Sequence, residues 1–280
     1  MSSSLTAHTT IELSSGTKIP QLGFGVYQSP PEMTEKTVAT ALKCGYRHID
    51  SAQWYENEKQ VGSIVHSSSS QYPRPSIFLT TKLGPPGRIQ ERLDESVRLI
   101  DPRGSEGYVD LFLIHSPSGG PELRPVQWGL MEKLVNEGKA KAIGVSNYGV
   151  KHLQEMEGYA EIPPAVNQIE LHPWCQQPDI VSYCQSHNIA LEAYSPLVQG
   201  TKASDPTLMH IAGETGKSWA QVLIRWSLQR GFIPLPKSDT PERIASNFDV
   251  YDFELSEEQM AALNALDVDD HVCLNHTKLP

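Results

Sequence analysis

The chain has 280 residues, and its 33 acidic against 23 basic side chains give a formal net charge of -10. So acidic a surface repels nucleic-acid phosphates, and no apolar run is long enough to span a bilayer. With 39% hydrophobic and 20% charged residues, a globular protein is expected, and about 250 residues is the usual size of one α/β barrel.

Residues 1–10 are polar and lack the apolar core of a secretory signal. They are expected to be a flexible segment at the start of a single domain covering 1–280, with the cytoplasm as default location. Cys44, Cys175, Cys184 and Cys273 form no C-x-x-C pair and read as free thiols in a reducing compartment. No His, Cys or carboxylate cluster has metal-ligand spacing, so no metal is expected.

Residues 11–20 predict a small β-hairpin around Ser14-Ser15-Gly16. Short apolar runs then predict strands at 21–26, 47–50, 77–82, 109–115, 140–147, 165–171, 189–195 and 232–237. Between them, helical spacing of apolar residues appears at 31–44, 88–100, 126–136 and 177–187. Ser218 with Gln221, and Ser256 with Gln259, form capping boxes ahead of apolar runs. Thr240 followed by Pro241 reads as an N-cap with proline at the first helical position. Gly138 and Gly231 suit helix C-termini.

Strands alternating with helices imply a parallel sheet. Eight such units close most economically into a (β/α)8 TIM barrel, here with a short N-terminal β-hairpin. A doubly wound open sheet is the alternative, but it wants a glycine-rich phosphate loop after its first strand. Gly23-Phe24-Gly25 lacks the third glycine of that fingerprint. Gly213 to Ser218 resembles half of a phosphate-binding loop, yet it follows a helical pattern and reads as a helix-turn-helix connection.

Ligands of such a barrel sit at the C-terminal ends of its strands. Those ends carry Asp50, Lys82, His115, Ser146 with Asn147, Tyr194 with Ser195, and Lys237 with Ser238. Each alone suits a cap, a solvated loop or a buried histidine. An acid, a lysine and a histidine on one rim suit an active site.

The same residues resemble the aldo-keto reductase family. Asp50-Ser51-Ala52-Gln53-Trp54-Tyr55-Glu56-Asn57-Glu58 resembles the segment in which an Asp is followed five residues later by the catalytic Tyr. Thr80-Thr81-Lys82-Leu83 is similar to the lysine segment, and Asp110-Leu111-Phe112-Leu113-Ile114-His115 to the histidine strand. Gly144-Val145-Ser146-Asn147-Tyr148, Asn167-Gln168-Ile169-Glu170-Leu171-His172-Pro173, Ala193-Tyr194-Ser195-Pro196-Leu197 and Pro236-Lys237-Ser238 with Arg243, Ile244 and Asn247 continue the match in order. It runs from about Gly23 to Asn247.

The resemblance implies NADPH-dependent reduction of a small aldehyde or ketone by hydride transfer. Tyr55 would be the general acid, Lys82 the cation that lowers its pKa, Asp50 the partner of Lys82, and His115 a hydrogen-bond donor to the carbonyl oxygen. Ser146, Asn147 and Gln168 would hold the nicotinamide carboxamide, and Tyr194 would stack on its ring. Ser195 and Leu197 would follow the pyrophosphate, and Asn247 would face the adenine. Two cations and a hydroxyl, Lys237, Arg243 and Ser238, suit the 2′-phosphate that separates NADPH from NADH.

Ser116 stands where the family usually has an aromatic residue after the histidine, Tyr27 replaces a frequent tryptophan, and Ser246 replaces a glutamate near the adenine. Tyr27, Trp54, Ser116 and Trp174 are the pocket candidates, with core packing competing for the two tryptophans. A short tail after Asp267 implies an open site. The alternatives are an NADP-linked alcohol or polyol dehydrogenase working in oxidation, and a nucleotide-binding regulatory subunit. A monomer without nucleic-acid or membrane partners is expected.

Overall fold

The computed structural model describes residues 5–84 and 87–280. Eight parallel strands form the barrel in strict chain order. They are β3 (Phe24–Gly25), β4 (His48–Asp50), β5 (Phe78–Leu83), β6 (Val109–Ile114), β7 (Ala140–Ser146), β8 (Val166–Glu170), β9 (Ala190–Tyr194) and β10 (Ile233–Pro234). Backbone hydrogen bonds from Gly23 N to Pro234 O and from Gly25 N to Pro236 O, both 3.1 Å, close the circle between β3 and β10. All eight expected strands are present. β3 and β10 are shorter than read, because proline in the 232–237 run removes donors that a ladder needs.

The hairpin pairs β1 (Thr10–Glu12) with β2 (Lys18–Pro20), and Gly16 turns it at φ 79°. Its Leu13 and Ile19 pack with Phe78, Leu111, Leu113, Ala142, Val166 and Ile233. The hairpin therefore plugs the end of the barrel at which the strands begin. Residues 1–4 lie outside the described residues. The rest of the expected flexible segment is placed, because Leu5 packs against the core and Thr6 N donates to Thr9 Oγ1 at 2.8 Å.

Ten helices surround the strands among the described residues: α1 (Pro31–Cys44), α2 (Glu58–Ser67), α3 (Ile89–Ile100), α4 (Leu123–Asn136), α5 (Val150–Met156), α6 (Pro178–Ser186), α7 (Pro206–Thr215), α8 (Trp219–Gln229), α9 (Pro241–Phe248) and α10 (Glu257–Asn264). Both capping boxes form. Thr240 takes the N-cap backbone conformation without a side-chain bond. Gly216, left-handed at φ 65°, ends α7 two residues before Ser218 caps α8, so the 213–218 stretch is the expected helix connection. Strand side chains alternate between faces. Ile49, Leu79 and Leu191 pack outward into the large core beneath the helices. His48 and Asp50 of β4 point inward, as do Thr80 and Lys82 of β5 and Glu192 of β9. At Gly144 a Cβ would lie 2.5 Å from Val166 O, so only glycine lets β7 and β8 approach there. No helix among the described residues is long and apolar enough to cross a membrane.

Candidate active site

The barrel interior grades from an apolar floor to a polar roof. At the roof, Lys82 is fully buried and its Nζ donates to Asp50 Oδ1 at 2.5 Å, to Ser51 O at 2.9 Å and to the Tyr55 hydroxyl at 3.3 Å. Those three bonds use all three ammonium donors. Burial alone would lower the Lys82 pKa, but the Asp50 and Tyr55 charges hold it above its ordinary value.

Tyr55 reaches the roof because the chain folds back after β4. A 3-10 turn (Gln53–Tyr55) follows Asp50, and Glu56 reverses the path at φ 55°. Asn57 pins this loop, accepting from Ser51 Oγ at 2.8 Å and donating to Val26 O at 3.0 Å and Ser29 O at 3.2 Å. Glu58 then accepts from Thr81 Oγ1 at 2.5 Å and Ser96 Oγ at 3.2 Å, tying α2 to β5 and α3. The Asn-Glu pair of the motif is thus a clamp that aims Tyr55.

His115 follows β6. Its ring meets the Tyr55 ring edge-on at 5.6 Å and lies 4.5 Å from Trp54. Burial, then the Lys82 charge, hold the His115 pKa well below its ordinary value, so the imidazole is neutral. Asp50, Tyr55, Lys82 and His115, expected on one rim, are brought together.

The lowered Tyr55 pKa expected from Lys82 is corrected. Burial outweighs the lysine and pushes the phenol up to about 12, with the Asp50 carboxylate cancelling part of the cation. Tyr55 is therefore a protonated phenol at neutral pH.

Ser146 Oγ donates to Gln168 O at 2.9 Å. Asn147, left-handed at φ 63°, donates to His115 O at 3.0 Å and accepts from the Tyr194 hydroxyl at 2.8 Å. Gln168 Nε2 donates to Asp50 Oδ2 at 3.0 Å and to Glu192 Oε2 at 2.7 Å. These three side chains and Tyr194 therefore sit beside the four roof residues. Ser195 is left-handed at φ 49° with Oγ 3.4 Å from Cys273 Sγ, and Leu197 packs against the core.

Lys237, Ser238, Arg243 and Asn247 form a separate group at α9. Lys237 Nζ already pairs with Asp239 Oδ2 at 2.5 Å, which relieves its opposition to the helix dipole. Ser238 Oγ accepts from Thr240 N at 3.1 Å. Arg243 is exposed, with no ion pair among the described residues, and Asn247 is buried.

Among the pocket candidates, Tyr27 and Trp54 are exposed at 51% and 45%, Tyr27 lying 5.0 Å from the Tyr55 ring. Trp174, at 4%, is a core residue covered by the tail, whose Val268 N and Asp270 N donate to its carbonyl. Ser116 Oγ lies 2.9 Å from His276 Nδ1. The tail is short, and its contacts run along the ends of β6, β8 and β9. His271 Nδ1 lies 3.3 Å from Glu170 Oε2, Val272 N donates to Glu170 Oε1 at 2.7 Å, and Cys273 reaches Ser195. His276 and the roles of Glu170 and Glu192 escaped the sequence reading, although Glu170 lies within a quoted motif and Glu192 is a lone acid inside a buried run.

The described residues include Cys175, Asp269 and His271 with ligand atoms within 4.8 Å of one another. However, both His271 nitrogens already face carboxylates, Glu170 at 3.3 Å and Asp269 at 3.1 Å.

The model of the Aldo/keto reductase family matches residues 16–268. An uncharacterised oxidoreductase of Schizosaccharomyces pombe is 46% identical over 264 residues, covering 93% of this chain and 94% of that protein. Aldo-keto reductase family 1 member A1-A of Danio rerio is 39% identical, covering 91% and 89%. The crystal structure of a Bombyx mori aldo-keto reductase in complex with NADP superposes with a TM-score of 0.85 at 32% identity, covering 95% and 94%.

Proposed function

Since the chain belongs to the aldo-keto reductase family and is an oxidoreductase, we propose that it uses NADPH to reduce small aldehydes or ketones, with Tyr55 as the proton donor. The observation that carries this reading is the Lys82 ammonium, bonded at once to Asp50 and to the Tyr55 hydroxyl beside a neutral His115. When bound, NADPH supplies the hydride for the carbonyl carbon.

Tyr55 gives its phenolic proton to the carbonyl oxygen as negative charge develops there. Lys82 stabilises the tyrosinate left behind, and Asp50 keeps the ammonium in place. His115 directs the carbonyl oxygen. Its Nδ1 is buried without a partner among the described residues. An orphaned acceptor costs less than an orphaned donor, so the proton belongs on Nε2, which then donates to the substrate. Trp54 and Tyr27 flank this point, and Ser116 leaves room where the family often has a ring.

The residues present fit the cofactor. Ser146, Asn147 and Gln168 gather around the roof for a carboxamide, Tyr194 offers a ring face, and the Ser195–Leu197 segment follows. Lys237, Ser238 and Arg243 would take the 2′-phosphate, with Asn247 toward the adenine. The four free thiols support a reducing compartment such as the cytoplasm.

The test is NADPH consumption by the purified protein against a panel of small aldehydes and ketones, beside Tyr55→Phe. Turnover in the wild type alone supports the reading. If the variant keeps near-normal turnover, Tyr55 is not the acid.

A further inference from the structure

Glu192 is a carboxyl group at 0% exposure inside the barrel. A buried acid is costly unless its contacts serve a purpose.

Its Oε2 accepts from Gln168 Nε2 at 2.7 Å, and the other hydrogen of that amide goes to Asp50 Oδ2 at 3.0 Å. An amide nitrogen carries two hydrogens, so both are committed. The two carboxyl groups also fix which way the amide points. With the Glu192 proton carried on Oε1, the flipped side chain would set its oxygen against two acceptors, Glu192 Oε2 and Asp50 Oδ2. Only Gln168 Oε1 is left for a ligand, and no bond uses it among the described residues. The chain of contacts continues from Asp50 to Lys82 at 2.5 Å and to Tyr55 at 3.3 Å.

We propose that Glu192 is a positioning residue for the cofactor: with Asp50 it locks the Gln168 amide so that its oxygen accepts from the carboxamide amine of the nicotinamide. This rests on the NADPH reading above. Glu192 touches neither substrate nor reacting atoms, and acts through Gln168. Replacing the acid by an aliphatic residue leaves one amide hydrogen without an acceptor and only the Asp50 bond to orient Gln168, so the lock loosens. Replacing it by glutamine restores an acceptor oxygen of the same reach, with the new amine turned toward His48, whose Nε2 lies 3.4 Å from Glu192 Oε1.

The probe is NADP+ compared with its acetylpyridine analogue, in which a methyl group replaces the carboxamide amine. Affinities of both are measured by fluorescence titration of the wild type, Glu192→Leu and Glu192→Gln. The wild type is expected to prefer NADP+ by roughly three- to tenfold, the range of one hydrogen bond. Glu192→Leu narrows that preference and Glu192→Gln keeps it, a rescue that a merely structural role would not give. The proposal is overturned if Glu192→Leu discriminates as well as the wild type, or if Glu192→Gln loses discrimination as fully as Glu192→Leu. If Glu192→Leu does not fold, Gln168→Leu beside Glu192→Gln decides: discrimination lost in the first and kept in the second supports it, and any other pattern overturns it. A wild type that binds neither nucleotide refutes the cofactor reading itself, a result distinct from these.

Discussion

The ring of Tyr55 meets that of His115 edge-on at 5.6 Å, with the Lys82 ammonium 3.3 Å from the phenol oxygen. A carbonyl oxygen placed between the two rings would meet a hydroxyl donor and an imidazole donor together. Tyr55→Phe removes only the first. Reduction is expected to slow by about 10²–10⁴-fold, the usual span of general acid catalysis. NADPH affinity should stay within about twofold, because the ring remains. Steady-state kinetics with a fluorescence titration of NADPH checks both.

The pH behaviour of the reaction follows from two groups. Tyr55 sits near 12 and is protonated, and His115 is neutral well below its ordinary value. Reduction should therefore show no limb between pH 6 and 8 from either group. Alcohol oxidation needs the tyrosinate as base, so its rate should keep rising with pH up to about 10. Paired pH profiles of kcat in the two directions test this. A tyrosine limb near neutral pH in reduction would mean that the lysine wins over burial after all.

Lys82 and Asp50 are also a stability element. Both are buried, and removing one partner leaves the other charge without compensation. Lys82→Met is expected to destabilise the fold by about 3–5 kcal/mol, read as a shift of the urea midpoint at constant slope. Activity should fall with it, since the tyrosinate loses its cation.

Stability should pass through a maximum on the pH axis, set partly by two interior groups. Burial lowers the His48 pKa to about 3. Its contribution is present above the unfolded value near 6.5 and is lost as pH falls, by about 2 kcal/mol at pH 5. Glu192 runs the opposite way. Burial and then the Asp50 charge push it up to about 8, so its contribution is full below the unfolded value and fades as pH rises. Urea midpoints of wild type and Glu192→Gln from pH 5 to 9 should diverge upward, the variant gaining on the wild type. Parallel curves would show that Glu192 is ionised throughout.

For the cofactor phosphate, Lys237→Ala and Arg243→Ala should each weaken NADPH by about tenfold, on the order of one charge-assisted hydrogen bond, while NADH affinity stays unchanged. Equal losses for both nucleotides would place the phosphate elsewhere.

The barrel and the cluster at its roof were legible because the signals are local. An apolar run closed by Lys82 or His115 announces a strand and its end, and the Asp50 to Glu58 segment carries its own clamp. What escaped depends on distant partners. The roles of Asn57 and Glu58 need Val26, Thr81 and Ser96. The Glu192 bond to Gln168 exists only once β8 and β9 are paired, and α5, at seven residues, is too short for helical spacing to declare itself. Tail length gave no hint of tail path, because Ser116 and His276 lie 160 positions apart.

That path has a consequence for how the molecule can change. One short segment links the strand-end loops at Ser116, Glu170 and Ser195, while the Asp50–Lys82 pair is fastened from within the barrel. The contacts that tie these strand ends and those that hold the buried pair are thus written in separate stretches of the chain. Substitutions between 268 and 279 are therefore expected to loosen those loops while the Asp50–Lys82 pair stays as it stands.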